Sequence, residues 1–228
     1  MSLSATTDGS GAAVPVTPAS GRYLAVLAAL FAVLFAALAI RPFDRHDWAL
    51  ENVLVVAAVL VVAWTWAKAR LSTISYTLIF VFLCLHEVGS HYTYAEVPYD
   101  LWWKALTGST FNSLVGWERN NFDRVIHFGY GLLLALPLRE LVVPKAGVRG
   151  FWSYFLPLDI MVSTSALYEL IEWGASEAFG GDLGMAYLGT QGDVWDAHKD
   201  MALASSGALI AILFAVWLDR RKWKRTPS

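Results

Sequence analysis

Six apolar runs, each close to the length that crosses a bilayer, constrain this chain more than any other feature. They cover residues 23–40, 48–66, 71–89, 123–144, 151–173 and 195–217. A helix needs ~20 apolar residues to cross a hydrocarbon core of about 30 Å, because its backbone polar groups must bond within the segment. The chain is 57% hydrophobic and 16% charged, whereas soluble domains are roughly 25% charged. The fold expected is all-α, a polytopic membrane helical bundle of about six transmembrane helices.

The chain divides by composition. Residues 1–21 are rich in Ala, Ser, Thr, Gly and Pro with no Lys or Arg before Arg22, so they read as a disordered tail rather than a secretory signal. Residues 22–70 hold two N-terminal transmembrane helices, and 71–218 a four-helix core. Within that core, 92–121 is polar and aromatic, too broken to span, and reads as an extracytoplasmic segment. Residues 219–228 form a basic cytoplasmic tail. With both termini cytoplasmic, eleven of the 17 Lys and Arg fall inside, among them Arg22, Lys68, Arg70, Arg139, Lys145 and Arg149. The positive-inside rule favours that orientation. The lone Cys84 excludes an intramolecular disulfide and a cysteine-built metal site. A net charge of −2 gives no basic surface for nucleic acid, and no feature speaks to oligomeric state.

Given this topology, the outer ends of spans three to six carry polar groups of the kind that bind metals or move protons. Span three ends with His86, Glu87 and His91. Span four opens with Asp123 and His127, four apart and on one helix face. Span five ends with Glu169 and Glu172, and span six opens with Asp193, Asp196, His198 and Asp200. Ionisable groups at such depth are costly and mark a site by default. Like charges brought together need a neutraliser: a divalent cation, bound protons, Arg124 and Lys199, or a cationic head group. Histidine with carboxylate suits Zn²⁺, Mn²⁺ or Fe²⁺ better than Mg²⁺ or Ca²⁺.

Plainer roles stand beside these. Asp123 and Asp193 suit helix caps, Glu87, Glu177 and Asp182 suit solvated positions, and His198 suits the headgroup zone. Tyr92 and Tyr94 fit an aromatic belt, and Ser205, Ser206 and Gly207 fit close helix packing. A glycine-rich phosphate loop and a G-x-S-x-G elbow are both absent from the sequence.

The motifs HEVGSHYTYAEVPY, DRVIHFGYGLL, YELIEW and GDVWDAHKDM, in that order over roughly 71–218, resemble the DUF2238 family of bacterial inner-membrane proteins. More distantly, the pattern is similar to VanZ-like proteins, associated with glycopeptide-antibiotic resistance. Asp123, His127 and Phe128 match that family's Asp-Lys-x-x-His-Phe segment, with Arg124 for the lysine. Glu169 matches its Glu-x-x-Gln, with Glu172 in place of glutamine. Asp200 and Gly207 match its Asp-x-x-x-Asn-x-x-Gly, with Ala204 for the asparagine. The resemblance implies a multi-pass bacterial inner (cytoplasmic) membrane protein with a polar cluster, and it implies no particular reaction.

Two functions follow as expectations. One is an enzyme acting on a lipid or lipid-linked substrate, with Asp123, His127, Glu169, Glu172, Asp196 and Asp200 at its centre and a Zn, Mn or Fe ion drawn from His86, His91, His127, Glu172, Asp196 and Asp200. The other is a binding or transport protein whose acids recognise a small cationic or lipid ligand.

Overall fold

The computed structural model describes residues 17–179, 181 and 190–223. The described residues are helical, with no strand beyond a single bridge between Pro18 and Ser72. In order they form α1 (Gly21–Leu38), α2 (Arg45–Lys68), α3 (Thr73–His91), α4 (Tyr99–Thr107), α5 (Phe111–Val115), α6 (Phe122–Ala146), α7 (Trp152–Phe179) and α8 (Asp196–Trp223). Side-chain caps start the first three: Ser20 accepts from Tyr23 N–H, Asp44 from His46 and Asp47, and Ser72 from Ser75. Each cap satisfies an orphan donor of the first turn.

Five helices, α1, α2, α3, α6 and α8, are long and apolar enough to cross a membrane. The remaining long helix, α7, has 28 residues but carries Asp159, Glu169 and Glu172. Near its start Tyr154 donates to Asp219 of α8 at 2.9 Å. Near its other end Glu169 stands 3.7 Å from His127 of α6. Since α7 accompanies α6 and α8 along their length, a crossing by that pair takes α7 with it.

The α6–α8 contact is the most extensive in the bundle, with α3 on the other side of α6 and α7 against α8. Ala135, Ala208, Ala211, Ile212 and Met161 form its buried core. Two glycines set the spacing. A Cβ on Gly131 would lie 2.5 Å from the Ala208 nitrogen and closer still to the Ala204 carbonyl oxygen. A Cβ on Gly207 would lie 2.8 Å from the Leu132 nitrogen and closer to the Phe128 carbonyl oxygen. Small residues let two backbones approach where lipid gives no hydrophobic push, which is the packing role expected of Gly207. Ser205 and Ser206 instead bond back to their own helix at Met201 and Ala202.

At one end of the bundle Glu140 of α6 accepts from Ser72 N–H at 2.6 Å and from the Ser72 hydroxyl at 2.9 Å, anchoring the start of α3. Beside it Arg139 pairs with Asp219 at 2.8 Å, and Ala19 N–H donates to Leu71 at 3.0 Å. Both ends of the described chain therefore lie at this end, opposite the acids of α6 and α8.

Several boundaries differ from expectation. Residues 1–16 lie outside the described residues, but the ordered chain begins before residue 22, since Ala19 is buried. The fourth expected span, α6, runs past Pro144 to Ala146 and is capped by Gly147, whose φ of 65° suits a residue without a Cβ. The fifth expected span, α7, continues past Trp173 to Phe179, while Asp182 and most of the glycine-rich loop fall outside the described residues. The expected basic tail starts as helix, since α8 runs to Trp223.

Candidate functional site: a histidine and carboxylate centre beside a cavity

The centre is assembled by three helices meeting at the end away from the termini. Asp123 and His127 stand one turn apart on α6, with Nε2 to Oδ1 at 3.3 Å. The other ring nitrogen of His127, Nδ1, faces Glu169 Oε1 of α7 at 3.7 Å. Asp200 of α8 closes the group, and one ligand atom from each of Asp123, His127 and Asp200 lies within 4.8 Å of the others. Asp200 is 2% exposed and Glu169 9%. Asp200 Oδ1 and Glu169 Oε1 are buried with no hydrogen-bond partner among the described residues. Leaving such a group unpaired costs ~1–3 kcal/mol, more if charged. A bound proton, a cation or a hydrogen-bond donor relieves that cost.

Above this centre the segment 92–121 is stitched to the start of α8. Arg119 pairs with Asp196 and donates to the Thr190 carbonyl at 2.6 Å. Arg124 pairs with Asp193 and reaches Asp196 at 3.4 Å. Lys199 reaches Asp193 at 2.6 Å, and Gln191 donates to the Asn120 carbonyl at 3.0 Å. Asp196, expected among the metal ligands, is thus taken by two guanidinium groups. Asp193 also caps the chain entering α8, accepting from Trp195 N–H at 3.1 Å.

The Lys199 ammonium, with the Trp195 N–H, holds the Asp193 carboxyl down to about 2 from an ordinary 3.8. A depressed value means that the stabilisation is complete above the unfolded value and is lost as pH falls through the folded one. The ion pairs of Asp193 are expected to persist from neutral pH down to about 3.8 and to dissolve toward 2. A carboxyl ¹³C titration checks this; a midpoint of 4 or higher would contradict it.

A cavity of about 440 Å³ opens beside the centre, walled by α2, α3, α6, α7 and the turn after α3. Asp123 and His127 form one wall, Glu172 another, and α2 contributes Asp47 and Glu51. Tyr94 enters from the turn, where Thr93 and Tyr94 both adopt left-handed backbone with φ of 52° and 53°. Its ring lies over Gly89, where a Cβ would sit 2.7 Å from Tyr94 Cδ1. Two consecutive residues in this sparsely populated region store strain, which persists only where the surroundings fix it. Burial, with the negative charge of Glu51 second, pushes the Tyr94 phenol above its ordinary value. The Tyr94 hydroxyl is hydrogen-bonded to His86 Nδ1 at 2.5 Å and also reaches the Glu51 carboxylate.

His86 and His91 do not join the centre as ligands. His86 lines the cavity, but its ring is engaged by Tyr94 on one side and by the Glu51 carbonyl at 3.3 Å on the other. His91 accepts a structural role at the far side of α3, with Nδ1 2.6 Å from the Leu38 carbonyl. Glu87, expected at a solvated position, is 0% exposed and receives Trp48 Nε1–H at 3.0 Å, tying α2 to α3. Glu177 and His198 are exposed as expected. Arg119, Asp47 and Glu51 were not anticipated. The signal for the last two was present: acids at i and i+4 heading an apolar run share a helix face.

Fold and site together define an all-helical integral membrane protein with a buried histidine and carboxylate centre near one end of its bundle. The chain belongs to the family described as "Predicted membrane protein (DUF2238)", whose match covers residues 23–221. It is similar to the "Inner membrane protein YjdF" of Escherichia coli (strain K12), 36% identical over 187 residues, which is 82% of this chain and 85% of that protein. No solved structure matches it. The chain is accordingly an inner-membrane protein.

Proposed function

We propose that this protein is a metal-dependent enzyme acting on a lipid or lipid-linked substrate at the extracytoplasmic face of the inner membrane. The observation that carries the reading is the cluster of Asp123, His127 and Asp200, with ligand atoms within 4.8 Å, in which the buried Asp200 Oδ1 has no hydrogen-bond partner among the described residues. Two ligand atoms ~2.0–2.2 Å from one ion lie about 3.4 Å apart in a tetrahedral site and at most about 4.4 Å apart, so these three side chains need to close only slightly on a bound ion. One imidazole with two carboxylates suits Zn²⁺, Mn²⁺ or Fe²⁺. A cation there supplies a Lewis acid for a phosphate or acyl oxygen and an acidified water. Glu169, whose Oε1 stands 3.7 Å from His127 Nδ1, is near enough to close on the ring when an ion is held, and to act as a base. The apolar walls of the cavity favour a substrate that arrives from the bilayer. The distribution of Lys and Arg supports an outward orientation of the centre.

A second reading, a binding or transport protein for a cationic or lipid ligand, is favoured by the further acids that line the cavity, Asp47 and Glu51 of α2 and Glu172 of α7. Elemental analysis separates the two. Protein stripped with EDTA and reloaded is expected to hold one Zn, Mn or Fe ion per chain. His127→Ala and Asp200→Asn are expected to lower affinity by roughly 100-fold or more, Glu169→Gln by about 10–100-fold, and His91→Ala not at all. Wild-type protein that takes up no metal would sink the enzyme reading.

A further inference from the structure

We infer that the cavity binds an amphiphile with a protonated amine head group, whose hydrocarbon chain runs into a second, apolar chamber. This rests on the reading of the site as one that handles lipids, and not on the metal. Four acids from three helices line the cavity: Asp47 and Glu51 of α2, Asp123 of α6 and Glu172 of α7. No Lys or Arg is among the described residues that line it. Of the two histidines, His86 is held by Tyr94 and the Glu51 carbonyl, and His127 lies between Asp123 and Glu169. Glu51 is 3% exposed, yet its Oε2 is buried without a partner, as is the hydroxyl of Ser165 in the facing wall. A cation with hydrogens to donate answers both.

The rest of the lining decides which cation. Hard inorganic ions want a shell of oxygens, whereas these acids are interleaved with Phe82, Ile126, Tyr94 and Tyr130. Aromatic faces attract organic cations, and acids exclude an anionic head group. The second chamber, about 280 Å³, is lined by Val62, Leu83, Leu134, Leu138, Leu141 and Met161. It shares Leu54, Phe82, His86, Tyr130 and Thr164 with the first, so the two chambers adjoin at these side chains. From Tyr130 to Leu141, α6 rises ~16 Å at about 1.5 Å per residue. That is about half a hydrocarbon core of ~30 Å, the depth of one leaflet and hence of one chain. Because the surrounding bilayer is as apolar as the chamber, the chain gains little by entering it. Discrimination then rests on the head group, and the chamber selects chain length.

The test uses the full chain in nanodiscs of uncharged lipid, titrated with hexadecylamine, N-acetylhexadecylamine and hexadecyl phosphate, before and after EDTA treatment. The amine is expected to bind at least ~10-fold more tightly than either analogue. Glu51→Gln and Glu172→Gln are expected to erase that preference, while Glu177→Gln, on the exposed end of α7, keeps it. Met161→Trp is expected to shift preference from hexadecylamine to decylamine. Equal binding of the acetylated analogue, or an undiminished preference in folded Glu51→Gln, overturns the inference. A preference that survives in protein unable to bind metal upholds it and removes only the enzyme reading. Metal binding without an amine preference removes this inference alone.

Discussion

Gly131→Leu is expected to abolish recovery of folded protein from detergent extracts, and Gly131→Ala to lower stability by about 3 kcal/mol, the upper end for an overpacked core. The added carbon of either variant would lie 2.5 Å from the Ala208 nitrogen and closer to the Ala204 carbonyl oxygen. Backbone atoms cannot rotate away as a side-chain tip can, so α6 and α8 must separate. His127 lies one turn before Gly131, and Asp200 about two turns before Gly207 on the partner helix. Spreading this crossing therefore widens the gap between the two proposed ligands. Gly131→Ala protein that still folds is expected to bind metal more weakly than wild type. Unfolding titrations in mixed micelles, with metal analysis on the same samples, check both parts. Wild-type stability in Gly131→Leu would show that the two helices are not in the close contact described.

The second large effect concerns Arg119. Asp196 is 4% exposed, and Arg119 is its closest partner, with Arg124 at 3.4 Å. Breaking a buried pair by removing one member costs ~3–5 kcal/mol, because the remaining charge stays buried. The Arg119 side chain is 19% exposed and Arg124 remains nearby, so the lower end, about 3 kcal/mol, is expected for Arg119→Ala. Loss of the Thr190 contact in the same variant frees the 92–121 segment from α8. Amide exchange is expected to accelerate across that segment before it does in α6. Replacing both partners with apolar residues, Arg119→Met with Asp196→Leu, is expected to recover most of the loss. Stability within 0.5 kcal/mol of wild type in Arg119→Ala, the range usual for surface changes, would mean that Asp196 is not buried as described.

Much of the helical layout could be read from the residues because run length measures bilayer thickness directly. The fourth run, residues 123–144, became Phe122–Ala146, and the convergence of Asp123, His127, Glu169 and Asp200 followed from alternating helix direction. The acids of α2 escaped because Asp47 and Glu51 stand at the head of an otherwise apolar run, whose length alone explains it as a span. Arg119 escaped for a different reason. It lies 77 positions from Asp196 in the chain, and no local pattern announces a pairing at that separation.

The sequence by itself determined the helices, the small residues that let two of them touch, and the end of the bundle at which acids gather, because these depend on hydrophobicity and on spacing along one helix. Only tertiary structure decided which acid receives an arginine and which stays unpaired. It also turned Tyr94 into the cavity and sent His91 to the Leu38 carbonyl. Such choices depend on distances between helices, set where Gly131 and Gly207 meet the opposing backbones. A pattern of residue types along one helix carries no information about the gap to the next.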